Sequence, residues 1–96
     1  MDKSQFKLNL QNKLNLWGRD LSVLQDDTER SDEDDKEEFS LLMQELMRDY
    51  EEIESRLDEI DLMSDTVFDE ERYVMQEMMD EFGARLAEAR SRITDV

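Results

Sequence analysis

FSLLMQELMRDYEEIESRLDEIDLMSDTV, residues 39–67, decides the fold. Read in sevens, it places Met43, Tyr50 and Leu57 at one core position and Phe39, Leu46, Ile53, Ile60 and Val67 at the other, with Asp, Glu and Arg filling most of the rest. This period predicts an amphipathic helix of about eight turns. Leu42 and Met47 on its flanks, and Met63 near its end, widen the apolar stripe. A two-stranded coiled coil needs only a narrow seam, whereas a helix that touches two neighbours needs a wide one, so the stretch reads as the middle member of a bundle.

On its N-terminal side, Leu10, Leu14, Trp17, Leu21 and Leu24 recur at spacings of four, three, four and three, and Phe6, Leu16 and Val23 widen that seam. Lysines open this helix and Asp26 and Asp27 close it, which opposes the helix dipole at both ends, so the segment needs tertiary neighbours. Residues 26–35, DDTERSDEDD, hold no large apolar side chain, and the core phase slips by one residue across them. Ser31 followed by Asp32, Glu33, Asp34 and Asp35 reads as an N-cap with acids on the first turn of a second helix, placing a connection near 28–33. The alternative is one continuous helix that absorbs the slip, giving a long hairpin that dimerises.

A second slip falls at Ser64 and Asp65, either of which suits a cap. Beyond it Phe68, Met75, Met79, Phe82, Leu86, Ala89, Ile93 and Val96 form a third seam, with Arg72 as the misfit. Asp69, Glu70 and Glu71 lie at its start and Arg85, Arg90 and Arg92 toward its end, the favourable order for the dipole. The expectation is an all-α protein, an antiparallel up-down-up three-helix bundle in one domain over residues 1–96, with helices near 4–28, 34–63 and 66–94.

That arrangement brings Lys3 and Lys7 level with Asp58, Glu59 and Asp61 at the end of the second helix and with Asp65 and Asp69 at the start of the third. It also sets Trp17, Tyr50 and Phe82 at one height, since each lies near the middle of its helix. Gly18 and Gly83 follow two of those aromatics inside helical patterns, where glycine costs roughly 1 kcal/mol relative to alanine. We read them as room for a neighbouring helix's ring; the other reading is a ligand or partner backbone in close approach.

Composition restricts the chemistry. The chain of 96 residues has no proline, cysteine or histidine and carries a net charge of −16. Disulfides, thiolate ligands, and the commonest metal ligand and general base are thereby missing. The serines have no histidine partner and no glycine-rich phosphate loop occurs, so a non-enzymatic protein without cofactors is expected. Glu51, Glu52, Glu54, Asp58, Glu59 and Asp61 read as a solvated helix face rather than as metal ligands, because carboxylate-bridged bundle sites also use histidine. Asp27, Glu29, Ser31, Glu33, Asp35 and Glu38 match the ligand spacing of a twelve-residue calcium loop, but Asp32 stands where the loop needs glycine.

Charge is uneven along the chain: residues 1–25 carry +2, residues 26–38 carry −7, 39–64 carry −6 and 65–96 carry −5. Such a balance works against direct binding of nucleic acid or an anionic membrane and leaves a protein partner, in particular a basic one. No apolar run approaches the roughly 20 residues of a membrane span, and MDKSQFKLNL lacks the apolar core and cleavage site of a signal peptide, so a cytoplasmic protein is expected.

Met43, Met47, Met63, Met75, Met78 and Met79 sit at seam or flanking positions, where methionine serves either as core filler or as an adaptable docking surface. Leu62, Tyr73 and Val74 lie partly off the core stripe, and a patch formed by them would suit self-association. The leading reading is a protein–protein interaction or scaffold protein acting through helix-face packing, with Leu42, Met47, Met63, Val74 and Met78 as the interaction residues and a homo-oligomer among its options. The alternative, from another class, is an acidic decoy that imitates nucleic acid and occupies a basic protein groove.

Three rows carry a resemblance: Trp17, Leu21 and Leu24; Tyr50, Ile53 and Leu57; and Ser64, Asp65 and Phe68 followed by Asp69 and Glu70. In these the chain resembles a group of short, acidic, helical bacterial proteins of unknown function, some linked to stress responses. It departs from them at Phe68, where tryptophan is common, and in DDTERSDEDD, where that group is rich in alanine and lysine. An alanine-rich segment there would favour one continuous helix, and the resemblance implies no known activity.

Overall fold

Asp2 starts the first helix. A computed structural model of the chain describes residues 2–94, and in it the extended Asp2 backbone presents the carboxylate to the Gln5 N–H at 2.8 Å. This cap supplies negative charge where the helix has no acid of its own in its first turn. Helix α1 runs from Lys3 to Glu29. It closes when the Arg30 N–H reaches the carbonyls of Asp26 and Asp27, both at 3.2 Å, and the Ser31 N–H reaches Thr28 at 3.1 Å.

Ser31 therefore has a different role from the one its position suggests. Its hydroxyl donates back to the Asp27 carbonyl at 3.0 Å and finishes α1. Asp32 takes the N-cap place of α2, Glu33–Glu59, and makes no side-chain capping bond. The break at residues 30–32 rules out the continuous first helix and the hairpin built on it. Helix α2 then tightens into a single 3-10 turn, Ile60–Leu62, before α3, Asp65–Thr94. Ser64 caps α3, its hydroxyl accepting from the Val67 N–H at 3.3 Å. Neither connection uses a positive φ among the described residues, so both turns are made without glycine or proline.

Contacts at the two ends give the direction of each helix. Near the start of α1, Phe6 packs edge-on against Phe68 of α3 with centroids 5.4 Å apart. Lys7 pairs with Asp61 and Lys3 donates to the Met63 carbonyl, both just after α2. At the other end Arg90 lies 3.8 Å from Asp20, and Arg92 lies 4.0 Å from Glu38. Helices α1 and α3 are thus parallel with α2 antiparallel between them, an up-down-up three-helix bundle 49 Å long and 17–18 Å across. The expected meeting of the α1 lysines with the acidic end of α2 is realised through Asp61.

The three seams meet as read. Phe6, Leu10, Leu14, Leu21 and Leu24 are buried with Phe39, Met43, Leu46, Ile53, Leu57 and Ile60 and with the α3 row from Phe68 to Ile93. Thr28 is buried too, and its hydroxyl donates to the Leu24 carbonyl at 2.8 Å, which settles the polar atom inside the helix. Three apolar residues assigned to seams point outward: Leu16, Val23 and Val67. Leu16 and Val23 lie more than about 100° around α1 from the centre of its seam, too far for a stripe of ordinary width. Val67 follows the 3-10 turn and the cap, so it belongs to the phase of α3, where Phe68 takes the buried place. Val96 lies outside the described residues.

The aromatic layer forms at mid-height. Trp17 and Phe82 have centroids 4.9 Å apart, and Tyr50 stands 6.2 Å from Phe82. The glycines make room for it. A Cβ on Gly18 would stand 3.0 Å from the Tyr50 hydroxyl, and one on Gly83 would stand 3.5 Å from Cζ2 of Trp17. The Tyr50 hydroxyl donates to the Leu14 carbonyl at 3.0 Å. Burial, with the nearby Glu54 carboxylate as a smaller cause, pushes its pKa above the ordinary phenol value.

Candidate interaction surface

Leu42, Asp49 and Arg56 follow one another at intervals of seven and so share one flank of α2, with Met63 lying past its end, just after the 3-10 turn. Two of them show which neighbour that flank faces. Asp49 pairs with Arg85 of α3 at 2.7 Å, and Arg56 pairs with Glu71 of α3 at 3.2 Å. Arg56 also lies 3.8 Å from Glu52, one turn back in its own helix. These pairs are partly exposed, so each contributes about 0–1 kcal/mol and serves more to fix side-chain positions than to hold the helices together.

The two cross-helix pairs frame a window in the α2–α3 groove. Between them lie Val74 and Met78, over a floor that includes Ile53 and Phe82. Val74 is 42% exposed and Met78 is half-buried against the core. Beyond the Arg56–Glu71 pair the groove continues past Met63 and Val67, with Glu52 and Arg56 lining both parts. The walls carry Asp49, Glu52, Glu59, Glu71 and Glu81 against Arg56 and Arg85. An apolar floor between acidic walls is what the cationic, apolar face of an amphipathic helix would match.

Of the five interaction residues read from the sequence, the structure brings Val74 and Met78 together, with Met63 further along the same groove. Leu42 is half-buried on that same flank of α2. Met47 stands apart: it borders the α1–α2 groove with Gln25, Thr28 and Ser40. Leu62 is 87% exposed in the turn between α2 and α3, whereas the Tyr73 ring has the Arg72 guanidinium 5.0 Å above it. Sequence reasoning missed the framing pairs Asp49–Arg85 and Arg56–Glu71. The seven-residue spacing of Leu42, Asp49 and Arg56 marks one flank of α2 but does not say which residues of α3 meet it.

The other surfaces give less. A depression of about 490 Å³ between α1 and α3 is lined by Asn9, Asn12, Lys13, Gln76 and Asp80 around Phe6, Leu10 and Met79. Among the described residues no group of three or more acids converges to hold a metal ion. The stretch from Asp27 to Glu38 is helical at both ends and turns only at residues 30–32, so it does not form a twelve-residue calcium loop. No helix among the described residues is long and apolar enough to cross a membrane. No protein-family model, curated protein or solved structure matches the chain.

Proposed function

We propose that this is a non-enzymatic, cytoplasmic binding protein that holds a basic amphipathic helix of a protein partner in the α2–α3 groove. The observation that carries the reading is the window itself: Val74 and Met78 partly open to solvent between the Asp49–Arg85 and Arg56–Glu71 pairs. Apolar side chains of the partner cover the window and its lysines or arginines meet Glu52, Glu59 and Glu81. The apolar contact supplies affinity, while the charges orient the partner and speed its approach.

Calorimetric titration with a designed helical peptide, leucines on one face and lysines on the other, tests this. Binding is expected to weaken with salt and to fall about tenfold in the double variant Val74→Ser, Met78→Gln, which removes part of the apolar contact. Equal affinity for that variant and the parent overturns the groove reading.

A second reading has one observation in its favour. A rod 49 Å long with a net charge of −16 carries about one net negative charge every 3 Å, within twofold of the roughly 1.7 Å spacing in duplex DNA. As a decoy for a basic nucleic-acid-binding groove, the protein would compete with DNA or RNA and would be indifferent to changes at Val74 and Met78.

A further inference from the structure

Helix α1 carries a second apolar row that the core does not use. Leu8, Leu16 and Val23 are 58%, 59% and 59% exposed. With Asn12 and Arg19 they fall within an arc of about 80° at 100° per residue. Phe6, Leu10, Leu14, Leu21 and Leu24 occupy an equal arc on the opposite side of the helix, so α1 is apolar on two faces.

The charge around this row sets it apart from the rest of the molecule. From Lys3 to Arg19 there is no acidic residue, and Asp20 is the one acid between Lys3 and Gln25. Asp20 in turn lies 3.8 Å from Arg90. Apart from Asp2, residues 26–96 carry all the rest of the negative charge. Two copies of a protein with a net charge of −16 repel one another, and among contacts in which a face meets its own copy, the outward face of α1 is the least acidic.

We propose that this row docks a second copy of the same chain, α1 against α1 in antiparallel orientation about a two-fold axis near Asn15 and Leu16. A closed two-fold contact requires a surface that complements itself. The row does so in one register. Leu8 faces Val23 of the second copy, Asn12 faces Arg19, and Leu16 faces Asn15, so each bulky apolar group at the ends meets another and each guanidinium meets an amide. The two Arg19 side chains then stand about 10 Å apart along the axis, from seven residues at 1.5 Å each. Lys3 and Lys7 are already engaged with Met63 and Asp61 at the near end of the bundle and add no repulsion at the centre. The inference does not draw on the α2–α3 groove, which this dimer leaves open.

Sedimentation velocity over a concentration series, at low and high salt, tests the proposal. A monomer–dimer equilibrium that tightens as salt rises is expected, because screening removes the repulsion between two anions and leaves the apolar contact. Leu16→Lys and Val23→Lys should each weaken the dimer by about a hundredfold, since each change is counted twice across the axis. Leu41→Lys changes a residue of equal exposure, 58%, on α2 and should leave the dimer intact. Circular dichroism melts of the variants confirm that each still folds. A monomer at every concentration and salt overturns the proposal. So does a dimer indifferent to Leu16→Lys and Val23→Lys, or open-ended growth that weakens with salt, which would mean basic α1 docking onto the acidic face of the next copy.

Discussion

Replacing Gly18 with alanine sets two effects of similar size against each other. Alanine is favoured over glycine in a helix interior by about 1 kcal/mol. The new Cβ, however, would stand 3.0 Å from the Tyr50 hydroxyl, which is held in place by its bond to the Leu14 carbonyl. Moving the hydroxyl aside weakens a hydrogen bond worth about 1 kcal/mol, so Gly18→Ala alone is expected to change stability by less than about 0.5 kcal/mol. In a Tyr50→Phe background the oxygen is gone and the nearest remaining ring atom lies at 3.6 Å, an ordinary contact. There the same substitution should stabilise by about 1 kcal/mol. Gly83→Ala meets only Cζ2 of Trp17 at 3.5 Å and should stabilise the parent protein outright. Urea denaturation followed by far-UV circular dichroism on the four members of the Gly18–Tyr50 cycle measures the coupling directly. In thermal melts, each kcal/mol corresponds to a shift of about 4–8 °C for a chain of this size. If Gly18→Ala stabilises equally with and without the hydroxyl, within about 0.3 kcal/mol, the reasoning about the aromatic layer is refuted.

Two further outcomes follow from burial and from the titration of Tyr50. Leu46→Ala, at a site 1% exposed, should cost about 2–5 kcal/mol in a denaturant melt, whereas Val67→Ala, at a site 45% exposed, should cost less than about 1 kcal/mol; equal losses would mean that the phase of α3 is wrong. The Tyr50 phenol is held neutral above its usual range, by burial first and by Glu54 second. The folded state therefore binds that proton more tightly than the unfolded chain, a contribution fully present below the unfolded pKa of about 10 and lost as pH rises through the higher folded value. The melting temperature should fall more steeply above pH 10 in the parent than in Tyr50→Phe, and identical slopes would count against this.

The bundle was legible because its seams are long and regular: Leu10 to Leu24, Phe39 to Ile60 and Phe68 to Ile93 all turn inward. The aromatic layer was legible as well, since residues near the middle of three similar helices must meet at one height. Local backbone detail was harder to read. Ser31 and Asp32 are both good capping residues, and which one closes α1 and which one opens α2 depends on which backbone group each side chain reaches: Ser31 bonds back to Asp27, and Asp32 makes no capping bond, a choice that residue type does not make. Val67 was misread because the 3-10 turn at Ile60–Leu62 advances the chain at three residues per turn, breaking the count of sevens. The groove was half visible. Val74, Met78 and Met63 could be picked out as apolar residues beside a seam, but whether they and Met47 share a surface depends on which side of α2 each neighbour occupies. The pairs Asp49–Arg85 and Arg56–Glu71 make that choice, and pairing between helices leaves no mark in a single sequence.

The methionines allow the groove reading to be tested most directly, since they stand on different surfaces of one molecule. Met78 and Met63 line the α2–α3 groove, Met47 borders the α1–α2 groove, and Met43 and Met75 are buried. With the methionine methyl groups labelled with carbon-13, NMR spectra are recorded while the lysine–leucine helical peptide is added. Saturable shifts at Met78 and Met63, with Met47 and Met43 unmoved, are the expected result. Shifts at Met47 without Met78, or none at any methionine while the peptide binds, would contradict a partner helix in the α2–α3 groove.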